Sequence, residues 1–228
     1  MKRSCVWEHN GADTILWAVE HPGAFARGAG LEEAKAKLEK DLQDWADWTG
    51  QPVPESVEVE IVGDIACSLN VRDADSDVLL EAEKMPLDRE EYERLRAMAL
   101  RSAEQFLRLY ASVPDPDRSA NPIRQTFYGP VPRTAREMYE HTKNVNAYYF
   151  GEIGVEADNE GDIVDCRRRG FEMLEKQPDF LENRAFEGSW DECWTLRKVM
   201  RRFIWHDRIH ARAMVRMMER TFGITKCK

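Results

Sequence analysis

No apolar run in the sequence approaches the length of a membrane span, and the opening residues MKRSCVWEHN lack the apolar core of a signal peptide. Both absences point to a cytoplasmic protein that does not enter a membrane. Cysteine is scarce and scattered: the five thiols, Cys5, Cys67, Cys166, Cys193 and Cys227, form no CxxC. That argues against a disulfide framework or a zinc ribbon and fits reduced thiols. Positive charge is in deficit, with 33 basic against 42 acidic side chains and a formal charge of −9. Generic nucleic-acid binding needs a positive footprint to displace counterions, so no nucleic-acid partner is expected. A phosphate loop is missing too, since GAG at Gly28–Gly30 is too short and stands in the wrong context.

What is present divides into two halves with different periods. The first alternates: SCVWEH and TILWAVEH are short, aromatic and β-branched, and NGAD between them signals a hairpin. HPGAFARGAG follows, punctuated by Pro22, Gly23, Gly28 and Gly30. From Leu31 the apolar residues Ala34, Leu38, Leu42, Trp45 and Trp48 recur at helical intervals, and Gly50 and Pro52 stop the helix. SVEVEIV then alternates again, with Val57, Val59 and Ile61 on one face and Glu58 and Glu60 on the other. Residues 1–84 therefore read as a small α+β module, a mainly antiparallel sheet carrying one helix.

The stretch HPGAFARGAGLEEAKAKLEKDLQDW resembles the HicB-like antitoxin fold, with its strand, Pro-Gly turn, glycine and EEA helix. The resemblance covers about a third of the chain and implies a module that engages a protein partner. HicB proteins commonly add a DNA-binding segment, and none is legible in this sequence.

Residues 85–228 show no convincing alternation. A long helix begins after Asp88 and ends before Pro114; a second follows Thr134; a third starts near Gly161–Asp162 and stops at Pro178; a fourth runs from about Trp194 to Thr221 and stops at Gly223. Four helices without strands point to an all-α four-helix bundle.

FIWHDRIHARAM, in the last of these helices, spaces His206 and His210 four residues apart, which stacks both imidazoles on one face. Val199, Phe203, His206, His210, Met214 and Met217 form one stripe, so both rings point inward. His141, with Met138, Val145 and Tyr148 at helical spacing, belongs to a core stripe of the second helix. Three converging imidazoles are the open donor set of a catalytic metal. The competing reading is a metal-free polar network. His9 and His21 sit beside turn signals and read as solvated loop histidines.

One histidine on the second helix, with WHDRIHARAM on the fourth after WTLRKVMRRF, resembles the DinB/YfiT superfamily of metal-binding bundles over roughly Leu87–Gly223. The resemblance places the metal triad on His141, His206 and His210. It implies a divalent ion, zinc or nickel, and a thiol-dependent transferase or hydrolase acting on a small-molecule substrate. The alternative is a metal-stabilised binding or sensing protein whose amino-terminal module engages a protein partner.

Other residues carry weaker signals. HDRIH has the spacing of a zinc-protease motif, but Asp207 stands where glutamate is needed and no downstream third ligand follows. Asn144, one turn from His141, is a candidate to orient a metal-bound water. Tyr148, Tyr149, Trp190, Trp194 and Trp205 read either as pocket walls or as plain core. Cys166 reads as a buried structural thiol rather than a ligand. Arg167–Arg169 and the arginines of the last helix read as solvated faces, with a carboxylate-binding role as the functional variant. Exposed Met and aromatic surface beside sheet edges predicts a homodimer.

Overall fold

The computed structural model describes residues 2–53, 58–73, 75–126 and 129–224. Val57 and Cys227 lie outside these.

The amino-terminal part is a four-stranded sheet with one helix. Strands β1 (Lys2–Asn10) and β2 (Asp13–Ala18) form the antiparallel hairpin signalled by NGAD, with Asn10 paired to Asp13 and Trp7 to Leu16. Strand β3 (Phe25–Gly28) pairs antiparallel with β2. Its four residues, crowded by Pro and Gly, are too short for alternation to reveal. Helix α1 (Leu31–Thr49) crosses the sheet and ends on Gly50, whose left-handed backbone (φ 71°) lets its N–H reach the Ala46 carbonyl. That crossover returns the chain as β4 (Glu58–Ala66) alongside β1, parallel to it, giving the order β3-β2-β1-β4.

Alternation divides the sheet's side chains between two cores. Cys5, Leu16 and Ala18 pack with Leu38, Leu42 and Trp45 of α1. Val6, Ile15 and Trp17 face the other way, toward Val71, Val78, Leu80 and Trp205. Trp205 belongs to the last helix, so the sheet is covered on its second face by the helical half.

That half contains α2 (Arg89–Ala111), α3 (Ala135–Gly151), α4 (Ile163–Leu174) and α5 (Leu196–Phe222). Each start carries an oxygen that satisfies an otherwise unpaired helical N–H. Asp88 accepts from Glu91, Thr134 from Glu137, Asp162 from Val164 and Asp165, and Thr195 from Lys198. Helix α5 packs against α2 and α3, and α4 packs against the same two. Helices α3 and α4 cross closely at Gly170, where a Cβ would lie 2.1 Å from the Phe150 ring.

Strands do occur after residue 85, against expectation, but only as two-residue ladders within the connections. They are β5 (Gln125–Thr126) with β6 (Gly129–Pro130), and β7 (Phe186–Glu187) with β8 (Cys193–Trp194). Two residues cannot display a period.

The larger correction concerns charge. Arg167, Arg201, Arg202 and Arg208 are buried, not solvated, and so is Lys198. Each meets a carboxylate: Arg167 meets Asp207 at 2.6 Å, Arg201 meets Glu83 at 2.5 Å, Arg208 meets Asp41 at 3.1 Å, and Lys198 and Arg202 share Glu192. The cause is the position of α5, enclosed by helices on one side and by the sheet and α1 on the other. Arg168 keeps the solvated, locally paired state expected of it, with Asp165 at 2.9 Å. One buried cluster runs from Cys5 and Leu38 through Met98 and Tyr149 to Phe203, so the sheet and the helices share a core.

The two halves approach closely at Gly23. Its φ of 82° suits glycine, and a Cβ there would lie 2.6 Å from Ile204 Cγ2 of α5. Its carbonyl accepts from Arg208 at 2.6 Å. Among the described residues, no helix is long and apolar enough to cross a membrane.

Candidate metal centre

The stripe on α5 turns inward as its periodicity requires. Val199, Phe203, Met214 and Met217 are fully buried, and His206 and His210 between them are half-buried. Four-residue spacing brings their ring centroids to 4.5 Å. Across the interface α3 supplies His141, with ring centroids 5.1 Å from His206 and 4.7 Å from His210. Part of His141 remains exposed, so the cluster opens to solvent on that side.

Each of the three rings offers one nitrogen, and these nitrogens lie within 4.8 Å of one another. The Nε2 atoms of His141 and His206 are 3.3 Å apart. Two imidazole lone pairs cannot face each other so closely without a proton or a cation between them. Nitrogens that each stand about 2.0–2.2 Å from a common ion are roughly 3–3.5 Å from one another, so this spacing suits a shared ion. The electrostatics agree. Burial holds His210 down at about 3, with the field of His141 adding to it. Burial also lowers His206 well below the usual imidazole value, aided by His210 and His141, and lowers His141. All three rings are therefore neutral at pH 7, the state in which imidazole is a ligand.

His206 Nδ1 is buried and has no hydrogen-bond partner among the described residues. The donor set of three imidazoles fits a borderline ion such as zinc or nickel, with coordination positions left over toward solvent.

Behind the cluster lies a wall of aromatic rings. Tyr149 stands 6.1 Å from His206, 5.4 Å from Phe203 and 5.3 Å from Trp194. Burial pushes its hydroxyl up to about 12, so it stays a neutral phenol. Tyr148 is partly exposed and packs edge-on to Trp194 at 5.9 Å. Trp205 is core between Trp17 and Phe25, away from the cluster, and Trp190 projects into solvent at 81% exposure.

Several candidates separate from the centre. Asn144 is exposed on α3, and its backbone carbonyl accepts from Asn159 at 3.1 Å. Cys166 is buried, its thiol donating to the Ile163 carbonyl at 3.5 Å, and it is not among the converging donors. The two amino-terminal histidines are not simply solvated. His9 stacks on Trp7 and meets Asp64 at 2.9 Å. His21 is buried edge-on against Trp45.

Asp207 decides the zinc-protease motif. Both of its oxygens accept from Arg167, at 2.6 and 3.1 Å, and both residues are fully buried. The guanidinium also donates to the Ala99 carbonyl and lies 4.2 Å from the Phe203 ring centroid. The carboxylate is thus committed to joining α4 to α5 and does not serve as a base. The helical period carried a signal for this pair. Asp207 stands four residues from Phe203 and four from Ala211, both buried, and a buried carboxylate requires a cation.

Compared with protein-family models, curated proteins and solved structures, the chain matches none.

Proposed function

We propose that the protein is a divalent-metal-dependent enzyme of the DinB/YfiT type, acting as a transferase or hydrolase on a small molecule. The carrying observation is the convergence of one nitrogen each from His141, His206 and His210, with 3.3 Å between the first two. The packing of α5 and of α4 against both α2 and α3 supports a four-helix bundle around that centre. The sheet with α1 supports the HicB-like reading of the amino-terminal module.

In this reading His141, His206 and His210 hold zinc or nickel. A bound divalent ion supplies Lewis-acid activation of a water or a low-molecular-weight thiol. The chain's own residues do the rest. The aromatic wall of Tyr149, Phe203 and Trp194 keeps water from the inner side. The Arg167–Asp207 pair fixes α4 against the helix bearing two of the three ligands. The exposed edge at His141 is the entry for substrate.

Metal analysis of untagged protein tests the assignment. About one zinc or nickel per chain is expected for a single site of this kind, with loss of that metal in His206→Ala while the far-ultraviolet circular dichroism stays unchanged. Absence of metal, or full retention by His206→Ala, replaces the centre with a metal-free polar network. Turnover on thiol-transfer and ester panels then separates the enzyme from the alternative. A stoichiometric protein partner with no turnover identifies a metal-stabilised binding protein instead.

A further inference from the structure

A second cleft, of about 500 Å³, opens between β3, α1 and α5, lined on α5 by Ile209, Arg212 and Arg216. Its charge is opposite to that of the protein. Arg27, Lys37, Lys40, Arg212 and Arg216 line it, in a chain whose formal charge is −9. Two carboxylates also line it, and the deeper one is already committed. Asp41 accepts from the Phe25 N–H and from the buried Arg208, and Arg212 contacts it as well. Asp44 stands 3.8 Å from Arg212. Glu33 answers Lys37. Lys40 and Arg216 are exposed and make no ion pair among the described residues. Cations therefore outnumber carboxylates in the lining, five to two.

We infer that the cleft is a binding site for a small phosphorylated organic molecule, distinct from the histidine centre. Lys40 and Arg216 bring donors that neither Asp41 nor Asp44 takes up, and an ammonium beside a guanidinium matches the several oxygens of phosphate groups. The floor is apolar, formed by Phe25, Ala26 and Ile209, and receives the organic portion. Size agrees, since small-molecule sites run from about 300 to 1,000 Å³. The arginines also register one another's fields. Burial, then Arg216 and Arg212, lowers Arg27. An anion in the cleft relieves that repulsion. The inference does not depend on a metal at the histidines.

Titration calorimetry on untagged, chelator-treated full-length protein tests it, with inorganic pyrophosphate, ADP and succinate as probes. Saturable binding of pyrophosphate, tighter binding of ADP and weaker binding of succinate are expected. The Lys40→Ala/Arg216→Ala double variant removes two exposed, unpaired side chains and should weaken ADP binding at least about ten-fold. The His206→Ala protein should bind ADP as wild type does, which separates this cleft from the histidine centre. Absence of saturable binding, succinate as tight as ADP, or an unweakened double variant overturns the proposal. So does a single-stranded oligonucleotide that binds more tightly than ADP through the same residues.

Discussion

His206 and Asp207 are neighbours in sequence and opposites in environment. Asp207 is fully buried, and both its oxygens are matched by Arg167. His206 is half-buried with an unpartnered Nδ1, and its other nitrogen faces a second imidazole at 3.3 Å. The same contrast extends along α5. Lys198, Arg201, Arg202 and Arg208 close on carboxylates, while among the described residues His206 and His210 converge with His141 and with no carboxylate. A polar group whose partners are complete has finished its work in folding. Neutral imidazoles that converge on one another with a side open to solvent mark where something else binds.

The largest effect tests the satisfied side. Asp207→Ala leaves the Arg167 guanidinium buried without its counter-charge and should cost about 3–5 kcal/mol, read as a lowered urea midpoint. Pairing it with Arg167→Met should restore much of the loss, because the uncompensated charge disappears. In chelator-treated protein His206→Ala should cost far less, since it leaves no charge buried without its counter-charge. Equal costs for Asp207→Ala and His206→Ala would erase the distinction between the two residues.

The second effect tests the unsatisfied side. Zinc at a hundred times its dissociation constant should stabilise the wild type by about 2.7 kcal/mol through mass action. His206→Ala should lose that increment at the same zinc concentration. An equal zinc shift in both proteins places the metal elsewhere.

A third substitution asks whether sheet and helices fold as one unit. Gly23→Ala introduces a Cβ 2.6 Å from Ile204 at a left-handed position and should cost about 1–3 kcal/mol. The expected result is one cooperative transition at a lower midpoint, because the core is shared. A separate early transition of the amino-terminal part would make the sheet an independent domain.

The legible and illegible parts of the molecule divide along the same line. Local signals survived: NGAD marked the hairpin, Asp88 and Thr134 marked helix starts, and the four-residue step at His206 and His210 set their shared face. Convergence with His141 followed from its apolar neighbours. Long-range cover did not show. The partners of Arg201 and Arg208 lie more than a hundred positions away, at Glu83 and Asp41, so the arginines of α5 looked like a solvated face. Helical period tells which residues share a face, but not whether another layer will be laid over it.

The smallest effect compares two histidines that both bury an unpartnered Nδ1, His21 and His206. His206 stands within a cluster of three. His21 stands alone against Trp45, so its burial should appear only as a cost of protonation. Burial, with the Arg3 charge adding to it, lowers the His21 pKa, while Glu20 opposes. The unfolded chain therefore takes up this proton first as pH falls below about 6.5. Stability contributed by neutral His21 is complete above that value and is lost as pH falls toward the lower, folded one. The histidines of the cluster titrate in the same direction, so the measurement is the difference between wild type and His21→Phe, both chelator-treated. Urea midpoints between pH 7 and pH 5 should fall less steeply in the variant. Identical slopes would mean that His21 keeps an ordinary imidazole affinity for protons, and that its burial is relieved whenever it charges.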